Sequence, residues 1–164
     1  MSGGPPLHAD VSGFAALLGT WRGAGHGEYP TIASFDYDEE VTVGHVGKPF
    51  LVYGQRTWRP ADRFPLHAET GYLRCPGGGS VVELLLAHPS GFAEIEVGTW
   101  DGRVLDVGTD VAGGTLVATP TAKSVSRLTR RFELDGDTLR YTVAMAAVGL
   151  ELTHHLAAEL HRVT

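Results

Sequence analysis

The sequence predicts an all-β protein: roughly ten antiparallel strands in up-and-down order, closed into a barrel, with one short N-terminal helix. Three observations carry that prediction. Apolar residues alternate at period two through most of the chain. Turn clusters rich in glycine and proline interrupt those runs at regular intervals. No amphipathic helices of roughly 10 to 15 residues intervene, which excludes βαβ units and the parallel nucleotide-binding sheet built from them. An open sheet of this many strands would leave two unpaired edges, and closure removes both.

The elements follow in chain order. Ser12 is placed to N-cap a short helix through Gly13-Phe14-Ala15-Ala16-Leu17-Leu18, with Gly19 at its end. Residues 1–13 read as an N-terminal extension and 14–164 as a single barrel domain. In "LLGTWRGAGHGEYPTI" the glycines follow a short helix and lead into a strand, whereas a dinucleotide fingerprint needs a strand before it and a long helix after it. They are therefore read as architecture: a tight bend, or close backbone approach, in a first strand whose Trp21 plugs one end of the barrel. In "ASFDYDEEVTVGHV" Phe35, Tyr37, Val41 and Val43 share one strand face. Further strands are expected in "PFLVYGQRTW", "HAETGYLRC", "SVVELLLAH", "FAEIEVGTW", "RVLDVGTDV", "TLVATP", "SVSRLTRRFEL", "TLRYTVAMAAV" and "LELTHHLAAELHRV". Between them lie Pro76-Gly77-Gly78-Gly79, Pro89-Ser90-Gly91, Asp101-Gly102, Gly113-Gly114 and Asp135-Gly136. Asp-Gly between alternating runs is a strong hairpin signal.

Composition narrows the function. Of 164 residues, 43% are hydrophobic, enough for a core, and the net charge of −6 leaves no basic stripe for nucleic acid. The three arginines of "SRLTRRFEL" read as a solvated strand face. Cys75 is the single cysteine, so no intrachain disulfide or cysteine zinc site forms, and a reducing, cytoplasmic setting is expected. The N-terminal residues carry no signal-peptide pattern, and "VVELLLA" is too short to span a bilayer.

Few residues offer chemistry. "HPSGF" puts Ser90 in a turn, without the setting of a nucleophile elbow. The carboxylate pairs Glu39/Glu40 and Glu94/Glu96 fall on strands; the second pair, two residues apart, shares one face and reads as a solvent-facing row. His8, His26, His45, His67, His88 and His161 sit singly and read as surface or hydrogen-bonded residues. His154 and His155 are adjacent and so point to opposite strand faces, and simple alternation puts His154 with Leu152, Leu156, Ala158 and Leu160. His155 and His161 share a face but lie roughly 20 Å apart at about 3.3 Å per residue, too far for one metal ion. One inward histidine still suffices as the sole protein ligand of a haem iron.

The opening Gly19-Thr20-Trp21-Arg22-Gly23-Ala24-Gly25 resembles the GxWxGxG signature of the nitrobindin family. The succession "YPTI", "FDYDEE", "GKPFL", "HAETGYLR", "ELLLAHPSG", "EIEVGT", "PTAK" and "HLAAELHR" extends the resemblance over nearly all the chain after about residue 14. It is similar above all to actinobacterial and mycobacterial members. The resemblance implies a ten-stranded barrel like that of fatty-acid-binding proteins, holding one ferric haem b per chain. It also implies nitric oxide binding and isomerisation of peroxynitrite to nitrate. The axial ligand by that pattern is His155, against the simple strand phase, which a β-bulge would reconcile. Thr31 and Lys123 fall in segments expected to approach the haem, and His45, His26 and Lys123 are candidate distal groups. The partners expected are small molecules, with no nucleic acid and no membrane; oligomeric state stays open, a homodimer among the options. The barrel shape alone equally admits a carrier of a fatty acid or another apolar ligand.

Overall fold

Eleven strands form in the computed structural model, which describes residues 3–163. They are β1 (Gly19–Tyr29), β2 (Ile32–His45), β3 (Leu51–Trp58), β4 (Pro65–Arg74), β5 (Val81–His88), β6 (Phe92–Trp100), β7 (Val104–Gly108), β8 (Thr115–Ala118), β9 (Val125–Asp135), β10 (Thr138–Ala147) and β11 (Thr153–Arg162). Ten of them make a ring of antiparallel neighbours. β1 to β7 follow in sequence, β9 pairs with β7, and β11 returns to β1 through Trp21↔Arg162 to Gly27↔Leu156. The short β8 lies outside that ring order, pairing with Phe92–Ile95 of β6 where β7 does not reach. Closure satisfies the ladder on both sides of nearly every strand, so the antiparallel barrel expected from the alternation is what forms.

The hairpin glycines sit where the turns need them: Gly91, Gly102, Gly113 and Gly136 all have positive φ. The glycines of β1 serve a different end. A Cβ on Gly23 would stand 2.0 Å from the Glu159 carbonyl, and one on Gly25 would stand 2.3 Å from the Tyr37 ring. Close approach, one of the two roles expected for this run, is what the fold uses.

One end of the barrel is sealed. A 3₁₀ helix over Ala9–Leu17 inserts Val11, Phe14 and Leu17 into the core, where Phe14 stacks on Trp100 at 5.1 Å. The helix begins before Ser12: the His8 side chain caps it by accepting from Asp10 N, while Ser12 donates to the Ala9 carbonyl inside it. Its end is Leu18, and Gly19 already opens β1. Trp21 is fully buried beneath the helix and donates from Nε1 to the Leu17 carbonyl at 2.9 Å. Arg162 stacks its guanidinium on that indole at 4.2 Å and donates to the carbonyls of Ala16 and Leu18. These donors satisfy the helix's terminal carbonyls, which burial would otherwise leave orphaned.

Candidate functional site

At the opposite end the barrel holds a cavity of about 610 Å³. Thr31, Ile32, Leu66, Lys123, Val148 and His155 line its mouth, and Phe35, Leu128, Phe132, Val143, Met145 and Leu156 give it apolar walls. Thr31 reaches the rim because the β1–β2 turn consists of Pro30 and Thr31, Tyr29 pairing with Ile32. Lys123 reaches it from the loop between β8 and β9.

The last strand places His155. Along β10–β11, Val143 pairs with Leu156 and Ala144 with His154, so His155 is the extra, unpaired residue of a β-bulge. The bulge turns His155 and Leu156 toward the cavity and leaves His154 exposed. The simple alternation that put His154 inward is thereby overturned. The β1–β11 ladder stops at Gly27↔Leu156, and the next carbonyl, that of Glu28, takes a side chain instead: His155 Nδ1 lies 3.0 Å from it. A carbonyl only accepts, so Nδ1 carries the proton and Nε2 keeps its lone pair. Burial holds the imidazole below its ordinary pKa and so neutral. Tyr29 packs edge-on against the ring at 5.6 Å and is itself pinned by its hydroxyl to the Ala147 amide. One neutral imidazole, fixed by a carbonyl and with a free nitrogen, is what a haem iron takes as axial ligand. With apolar walls around it, the site fits that group.

Beneath the mouth lies a buried polar layer. Arg130 donates to Glu69 (2.9 and 3.2 Å), Glu94 (2.6 Å) and Glu96 (2.9 Å). His88 Nε2 also meets Glu94 at 2.7 Å, and Tyr53 donates to Glu69. Burial alone would raise the Glu69 carboxyl, but Arg130, with His67 and His88 beside it, brings it down to about 2. Burial likewise opposes ionisation of Glu94, and Arg130 and His88 outweigh it, whereas Glu96 is pushed well up by burial and by the Glu94 charge. A second chain runs from Tyr37 through Tyr141 to Glu39, whose other oxygen accepts from Gln55 at 2.8 Å. Burial raises Glu39 to about 7.

Several expectations are corrected here. Glu94 and Glu96 are not a solvent-facing row; they point inward and are 2% and 0% exposed. Glu39 likewise is buried, while Glu40 lies beside Arg22 and Arg56 at the surface. Of the three arginines in "SRLTRRFEL", Arg130 is internal and only Arg127 and Arg131 reach solvent. His67 and His88 are not isolated, their rings meeting at 3.3 Å on the cavity wall. His26 pairs with Asp36 on the exposed face and His45 ends β2, and neither lines the cavity as a distal group would. Strand phase held the missing signal. Glu39 fills the gap in the Phe35, Tyr37, Val41, Val43 series, and Arg130 stands between Leu128 and Phe132 at spacing two.

The chain matches the THAP4-like, heme-binding beta-barrel domain over residues 10–162. It belongs to that family of haem-binding barrels. Among its relatives is peroxynitrite isomerase 2 of Mycobacterium marinum, 56% identical over 158 residues that cover 95% of this chain and 96% of the other. The peroxynitrite isomerase of Nocardia farcinica is 53% identical over 156 residues, covering 95% and 92%. Among solved structures, Rv2717c from M. tuberculosis superposes with a TM-score of 0.92 at 51% identity, over 97% of this chain and all of that one. No helix among the described residues is long and apolar enough to cross a membrane.

Proposed function

We propose that this chain binds one ferric haem b through Nε2 of His155 and isomerises peroxynitrite to nitrate, with nitric oxide as a second ligand of the same site. The observation that carries the reading is the neutral, carbonyl-tethered imidazole that a bulge turns into the mouth of an apolar cavity. The names of the relatives supply the reaction.

The residues divide the work. The Glu28 carbonyl holds His155 in one tautomer and makes its free nitrogen a better donor. Tyr29 fixes the ring plane, and its hydroxyl ties β1 to the end of β10. Thr31 and Lys123 at the rim offer a hydroxyl and an ammonium to anionic groups arriving from solvent. Apolar walls limit water around the reacting anion, which strengthens every remaining electrostatic contact. Haem, when bound, supplies the iron centre at which the rearrangement takes place. Buried Cys75 suits a reducing cytoplasm.

A fatty-acid carrier is disfavoured by the same cavity. In the buried layer the cation, Arg130, already serves three carboxylates, so a lipid carboxylate that reached it would join Glu39, Glu69, Glu94 and Glu96 around a guanidinium that is already shared. The reaction is tested by mixing peroxynitrite with wild type plus one equivalent of hemin, with His155→Ala plus one equivalent of hemin and with free hemin, and following decay and the nitrate-to-nitrite ratio. Wild type alone should accelerate decay toward nitrate. Equal rates and product ratios in all three would remove the enzymatic reading.

A further inference from the structure

The layer below the mouth contains a cluster that haem ligation does not use. His67 and Glu69 lie two residues apart on β4 and so share its inner face, and His88 ends the neighbouring β5. Their ligand atoms converge. His67 Nε2 is 3.3 Å from His88 Nδ1, His88 Nδ1 is 3.5 Å from Glu69 Oε2, and His67 Nε2 is 3.7 Å from that same oxygen. Zinc bonds of about 2.0–2.2 Å in tetrahedral geometry place ligand atoms roughly 3.3–3.6 Å apart. The observed triangle is already of that size.

We propose that His67, Glu69 and His88 form a binding site for a divalent transition-metal ion, zinc or ferrous iron, on the wall of the cavity. Two imidazoles and one carboxylate are a ligand set that suits both ions and leaves further positions open, here facing the cavity. The outer sphere is present as well. His88 Nε2 lies 2.7 Å from Glu94, and a carboxylate accepting from the far nitrogen directs the Nδ1 lone pair toward the ion and raises its donor strength. Glu69 and Glu94 side chains are 3% and 0% exposed, and His88 is 3% exposed, so the arrangement is held by packing. Arg130 Nη2 stands 3.2 Å from Glu69 Oε2, so that oxygen is shared between guanidinium and ion. His67, with its side chain 36% exposed, leaves an approach from the mouth.

This inference does not depend on haem binding. It is tested on the full chain, dialysed against EDTA and titrated with zinc chloride by calorimetry, beside His67→Ala, the more isosteric His67→Gln and His155→Ala. The site predicts one equivalent of zinc in wild type, retained in His155→Ala and weakened at least tenfold in both His67 variants, whose folding circular dichroism checks. Titration with cobalt(II) should give the visible bands of a low-symmetry, nitrogen-ligated ion in wild type and His155→Ala and in neither His67 variant. Absence of zinc binding to wild type, or equal binding in wild type and the His67 variants, overturns the proposal and leaves the cluster a hydrogen-bonded imidazole pair. Loss in His155→Ala with retention in the His67 variants overturns it equally.

Discussion

The two ends of the barrel use the same alternation of side chains for opposite purposes. At the sealed end the inward positions are Trp21, Leu84, Leu105, Leu139 and Leu160, closed over by Phe14 and Trp100. At the open end the inward positions are Glu39, Glu69, His88, Glu94 and Arg130, then His155 at the rim. Dispersion and water exclusion stabilise the first region; the second holds buried charge that is tolerated only because each ion has its partners. The difference separates folding from function along the barrel axis, and it can be broken one region at a time.

The largest effect should come from Trp21→Ala. Emptying that site costs about 3–5 kcal/mol in denaturant unfolding, while hemin affinity of the folded fraction stays unchanged. A drop in affinity with unchanged stability would mean the two ends are not separate. Next comes Arg130→Met, which strips three carboxylates of their common cation and costs about 3 kcal/mol at neutral pH. Part of that loss should return below pH 5 as the carboxylates take up protons, which a pH series of melts would show; a pH-independent loss would mean cavity formation dominates.

Glu39 gives a smaller and pH-specific effect. Burial raises its folded pKa from the ordinary 4.5 to about 7, so folding takes up a proton between those values and stability falls as pH rises through the window. Glu39→Gln, which has no proton to lose, should gain on wild type by about 1–3 kcal/mol from pH 5 to pH 8. A constant offset across that range would contradict it. The smallest effect belongs to His26→Ala: the exposed His26–Asp36 pair should contribute under about 1 kcal/mol, with hemin binding untouched.

Much of this architecture is legible in the chain. Alternating runs, Asp-Gly and Pro-Gly turns and the absence of helices suffice for the closed sheet, since each is a local signal. The polar layer is not local. Glu96 and Arg130 are 34 residues apart and meet only across the barrel interior, so no window along the chain pairs them. Glu94 and Glu96 mislead because the outward residues beside them, Ile95 and Val97, are the apolar ones; Phe92 and Trp100, in phase with the acids, carried the correct facing. The bulge at His155 is invisible for another reason. It is a mismatch between two strands, and alternation within β11 alone assigns the inward place to His154. Resemblance to known sequences named His155 where strand phase could not.

The central claim is that this bulge makes His155, and not its neighbour, the ligand. The direct test is a hemin titration of wild type, His154→Ala and His155→Ala followed in the Soret band. Wild type and His154→Ala should form the same one-to-one ferric complex, and His155→Ala should form none. A specific complex that survives in His155→Ala and disappears in His154→Ala would contradict the account.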